Sequence, residues 1–205
     1  WRKASFAFRE FPFHIGVVYL APLQSGPANL LWEKPTGYSA TMCGIAYDDL
    51  DAWHTGYPAE IFAEQLEKVS QGFAEAAQGL RVALNNRTDT NPLHVKYAEQ
   101  EMGLMEAVSV HYRSVANQTR FVLTRRALAE ADSRETGLPL IDRLEQILND
   151  ELQLAKQLYA LQTRDSRIGF EATNHYFYVP ADLVEKILNC RDLLERWLPL
   201  ERARF

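Results

Sequence analysis

Downstream of residue 57 the apolar positions recur at helical spacing, interrupted only by short polar stretches. Phe62, Leu66, Val69, Phe73 and Leu80 follow near-heptad steps, which predicts a helix from Pro58 to about residue 84. Pro58 suits a first helical turn, and Glu60 suits the positive end of its dipole. Asn85–Asn91 reads as a polar turn. A second helix follows from Pro92 to about Ala131, with an inward stripe of Leu93, Tyr97, Leu104, Val108, Tyr112, Val115 and Val122. A third is predicted from Leu138–Pro139 to about Thr163, its face marked by Leu144, Leu148, Leu152, Ala155 and Leu158. A fourth runs from Pro180 to Pro199 through Leu183, Ile187, Leu194, Trp197 and Leu198. Amphipathic helices of this length need partner faces. The pattern therefore predicts a mainly α fold: an antiparallel bundle of about four long helices over residues 58–205.

Residues 1–57 carry a different pattern. Phe6, Phe8, Phe11 and Phe13 alternate with other residues and are broken at Pro12. Ile15–Leu20 reads as a buried strand, and Ala40–Ala46 as a second short one. Pro22, Gly26, Pro27, Pro35, Gly37 and Gly44 punctuate the rest. One apolar strand cannot bury both of its faces. The segment therefore reads as the end of a larger body, and the chain as a fragment or a processed product with an upstream domain of the same polypeptide.

Composition narrows the partners. The chain has 205 residues, is 47% hydrophobic and 24% charged, and carries a net charge of −5 with both signs interspersed. No basic face argues for nucleic acid, and no apolar run is long enough for a membrane span. Cys43 and Cys190 read as free thiols rather than a disulfide framework. No motif implies a cofactor. Asp48, Asp49 and Asp51 are close together but lack the spacing of a calcium loop, so no metal is expected.

Two non-periodic stretches collect the candidate chemistry. Tyr47–Tyr57 holds Asp48, Asp49, Asp51, Trp53, His54 and Tyr57. Aromatic faces stack on the C–H surfaces of sugars, and carboxylates accept hydrogen bonds from hydroxyls, so this mixture suits carbohydrate. It equally suits an acidic loop that caps the next helix. Arg164–Tyr178 holds Asp165, Glu171, His175, Tyr176 and further aromatics. It is either a packed connector or the lining of a site. On the second helix, Arg113, Asn117 and Arg120 share one face. They are expected to form a structural clamp on Asp165 and Glu171.

Several of these stretches resemble a known group. They are Gly26–Trp32, Pro35–Tyr38, Tyr47–Trp53 and above all Asp165–Tyr176, read Asp-Ser-Arg-Ile-Gly-Phe-Glu-Ala-Thr-Asn-His-Tyr. Together they resemble the C-terminal region of large bacterial glycoside hydrolases, over nearly the whole chain. The resemblance implies an upstream α/β barrel ending in Ile15–Leu20, a following helical domain, and a periplasmic or secreted setting. It also implies carbohydrate contacts from Asp48, Asp49, Trp53, His54 and Tyr57, and from Glu171, His175 and Tyr176. It carries over no catalytic residue. The other expectation is a helical docking or dimerisation module without catalysis.

Overall fold

A computed structural model describes residues 26–37, 49–53, 58–88, 91–169 and 178–205. The strands expected at Ile15–Leu20 and Ala40–Ala46 lie outside the described residues, which contain helices and connecting segments only. After the single turn α1 (Leu50–Trp53) come α2 (Ala59–Asn85), α3 (Pro92–Glu130), α4 (Arg134–Arg164) and α5 (Pro180–Asp192). A π-helical turn, Leu193–Trp197, then leads into α6 (Leu198–Arg204). α2 packs on α3, α3 on α4 and α4 on α5, so successive helices build the bundle.

Local chemistry sets the helix ends. Asn91 caps α3 by accepting a hydrogen bond from Leu93 N–H at 3.0 Å, with Pro92 in the first turn. α4 starts at Arg134, earlier than the expected Leu138–Pro139. Ser133 is its cap, accepting from Thr136 N–H, and Glu135 lies in the first turn. Pro139 is thus inside the helix rather than at its start. The last helical stretch also passes the expected stop at Pro199. The π turn closes with Leu198 N–H donating to Leu193 C=O, and the helix resumes through Pro199 to Arg204.

Among the described residues the buried apolar side chains fall into three clusters. Phe62, Leu66, Val69 and Phe73 of α2 meet Met105, Tyr112 and Val115 of α3. Phe121, Leu144, Leu148, Leu193 and Trp197 form a second region, which also takes in Leu31 and Leu50. Ala107, Val110, Leu158, Leu161 and Leu183 form a third with Ile168 and Tyr178. The predicted α3 stripe is buried at Tyr112, Val115 and Val122. It is open at Leu93, Tyr97 and Leu104, which are 52%, 55% and 40% exposed. α3 has 39 residues against 27 in α2 and 31 in α4, and among the described residues its early turns lack cover on that stripe.

Candidate functional site

Residues 26–33 form a strap held against α3 and α5 by side chains that grip its main chain. Gln118 Nε2 donates to Gly26 C=O at 2.6 Å, and Lys186 Nζ to Asn29 C=O at 2.5 Å. Asn189 uses both ends of its amide on Leu31. Its Oδ1 accepts from Leu31 N–H at 2.8 Å, and its Nδ2 donates to Leu31 C=O at 2.9 Å. Arg125 donates to Trp32 C=O at 2.7 Å, and Arg196 pairs with Glu33. Leu31 is thereby seated in the same core region as Leu50 of α1. Next to Arg125, Arg126 pairs with Asp51 of α1 at 3.2 Å. The chain is therefore pinned on both sides of the stretch that carries Asp48 and Asp49.

The second stretch is pinned in the same way. Asp165 ends α4 and accepts from the Arg167 guanidinium at 2.8 and 2.5 Å and from Arg167 N–H at 3.1 Å. That Arg167 contact holds the Asp165 carboxyl below its usual range. Ile168 and Tyr178 are both buried in the third core region, with Leu161 and Leu183. Gly169 between them has φ +89°, and the Tyr178 ring lies against it. Burial alone pushes the Tyr178 hydroxyl up. Beside this foot is a cleft of about 390 Å³ lined by Gln100, Gly103, Glu106, Leu161, Arg164 and Ile168, among others. Its size falls in the range of small-molecule sites, about 300–1,000 Å³.

The sequence-predicted residues divide between described and undescribed positions. Asp49 is half-buried just before α1, and Trp53 ends α1. Asp48, His54, Tyr57, Glu171, His175 and Tyr176 lie outside the described residues. The polar face of α3 finds partners other than those expected. Arg113 pairs with Glu67 of α2 and, at 3.0 Å, with Asp150 of α4. Arg120 binds Glu67 at 2.6 Å. Asn117 donates to Asp150 at 2.8 Å and to Glu151 at 3.0 Å. Asp165 instead pairs with Arg167 in its own turn, and Glu171 lies outside the described residues. Antiparallel neighbours offer carboxylates at the level of Arg113 and Arg120, so the clamp joins helix to helix.

Below this layer is a fully buried ion pair that the sequence reading missed. Lys186 Nζ lies 3.1 Å from Glu151, and both side chains are 0% exposed. Ser114 donates to Glu151 Oε2 at 2.8 Å. A signal was present. Lys186 falls between Leu183 and Cys190 on the apolar face of α5, and Glu151 between Leu148 and Ala155 on that of α4. A charge at a core-facing position in each of two adjacent helices predicts a pair.

Among the described residues no group of three or more His, Cys, Asp or Glu is placed to hold a metal ion. No described helix is long and apolar enough to cross a membrane. No family model, curated protein or solved structure matches the chain.

Proposed function

We propose that this chain is the helical portion of a carbohydrate-active enzyme of the glycoside hydrolase type, and that it supports or completes a sugar-binding site. The observation behind this reading is the pinning of the two polar-aromatic stretches. Leu50, within the first, shares a core region with Leu31, and Ile168 and Tyr178, towards the two ends of the second, share another. Loops anchored on a rigid scaffold are where binding groups gather. The resemblance noted above supplies carbohydrate as the ligand class. The role assigned is binding rather than bond cleavage. Glycosidases need two carboxyls about 5–10 Å apart across the scissile bond. Within the two stretches, Asp51 is paired with Arg126 and Asp165 with Arg167. Titration with soluble cello-, xylo- and manno-oligosaccharides, followed through the tryptophan indole resonances, tests the proposal. Trp53→Ala and Tyr176→Ala should each weaken binding roughly threefold to tenfold, the worth of one stacking contact. Wild-type spectra that respond to none of these sugars would retire the reading.

A docking module is the second reading, and the exposed Leu93, Tyr97 and Leu104 on one stripe of α3 favour it. It predicts concentration-dependent mass in sedimentation that Leu93→Ser with Tyr97→Ser abolishes. A monomer at every concentration counts against self-docking.

A further inference from the structure

We infer that Lys186 and Asn189 of α5 are positioning residues: they seat the strap's main chain and, through it, set the placement of α1. The argument begins with the cost of the buried pair. Two charges removed from water seldom stabilise a bundle better than apolar side chains of similar volume. Lys186 and Glu151 are both wholly enclosed, so holding α4 to α5 is not a sufficient reason for them. What an apolar pair cannot provide is a donor for the strap. Lys186 Nζ donates to Asn29 C=O at 2.5 Å, and Glu151, 3.1 Å from the same nitrogen, holds it in place. One turn further along α5, Asn189 meets both the N–H and the C=O of Leu31, in the manner of a strand partner.

Two links carry the strap's placement to α1. Leu31 and Leu50 pack in the same core region. Arg125 and Arg126 are adjacent on α3, and one holds Trp32 C=O while the other holds Asp51. Shifting the strap therefore disturbs both the packing and the charge contacts of α1. Only the use of this placement in sugar contact depends on the carbohydrate reading. The placement itself does not.

The test uses the full chain and two variants. Asn189→Ala removes both Leu31 contacts from a half-buried position. Lys186→Met with Glu151→Met replaces the pair with apolar side chains, leaving Ser114 bonded to Gln118 and Asn117 to Asp150. In both variants the Leu31 amide should exchange roughly tenfold faster, directly in Asn189→Ala and through the unseated Asn29 carbonyl in the double variant. The amides of Asp51 and Trp53 and the Trp53 indole resonance should shift as well, while protection of α2, α3 and α4 stays unchanged. Wild-type protection at Leu31 in Asn189→Ala overturns the inference. So does faster exchange at Leu31 with α1 and Trp53 unmoved. If the double variant loses protection throughout the bundle, the pair is structural and its assignment to the strap fails. A sugar titration of the wild type stands or falls apart from any of these results.

Discussion

Cys190 shows what the interior does to a single side chain. It lies one turn past Lys186 on α5 and is fully buried. Burial pushes its thiol up to about 12, with Lys186 pulling the other way and Glu151 adding to the rise. The thiolate is the reacting species. Native Cys190 should therefore alkylate at least about a thousandfold more slowly than the same residue in urea. Mass spectrometry after timed iodoacetamide treatment reads this directly, and equal rates in the two states would contradict the burial. Some of this chemistry was legible before the structure, and some was not. A free Cys190 is expected because the two cysteines of the chain are far apart in sequence. The partners of Arg113 and Arg120 do not follow, because pairing depends on how far each helix slides against the next. Spacing along one chain does not encode that offset. The loop carboxylate Asp165 was a plausible partner by charge, but Arg167, two residues away, reaches it first.

At the scale of elements, periodicity located the helices well, and prolines misplaced two of their ends. Pro139 and Pro199 each looked like a boundary, because proline removes one helical hydrogen bond. Ser133 provides an earlier start for α4, and the π turn at Leu193–Trp197 precedes the passage through Pro199. Both are choices among competing local signals. The foot of the second loop makes a sharper demand. Gly169 has φ +89°, and a Cβ there would lie 2.8 Å from both the Tyr178 ring and the Tyr178 carbonyl oxygen. Gly169→Ala is thus strained in its backbone and blocked by main chain that cannot swing aside. It should destabilise the protein by about 1–3 kcal/mol and unseat Tyr178 from its place near His111. Thermal melting measures the first effect, and the Tyr178 ring resonances report the second. Gly79→Ala, in the body of α2 with open space at its Cβ, is the control and should raise the melting temperature. If Gly169→Ala melts like the control, the tight foot is not present in solution.

Across the whole molecule, one ionic layer ties three helices together, and its response to acid can be derived. Glu60 and Glu67 of α2 face Arg120 of α3, Arg113 bridges Glu67 to Asp150 of α4, and Arg143 of α4 returns to Glu60 at 3.0 Å. The Arg120 hydrogen bond is the chief reason that the Glu67 carboxyl is held below its usual value of 4.5, with the charges of Arg120 and Arg113 adding to it against the opposing effect of burial. A carboxyl whose folded value is depressed stabilises the fold above its unfolded value, and that stability disappears as pH falls through the folded one. The contribution should therefore be complete near neutrality and fade between roughly pH 5 and pH 3. Solvent reaches this layer, since the Glu67 side chain is 28% exposed and that of Arg113 42%. Screening then limits the contribution to about 1 kcal/mol. Glu67→Gln should cost about that much at pH 7 and almost nothing at pH 3, so the unfolding curves of variant and wild type converge as acid is added. Added salt should narrow the gap at pH 7 as well. The buried Lys186–Glu151 pair, out of reach of counterions, should show no such salt dependence. If Glu67→Gln and wild type stay separated by the same interval at both pH values, charge in this layer does not tie the helices together and apolar packing alone holds them.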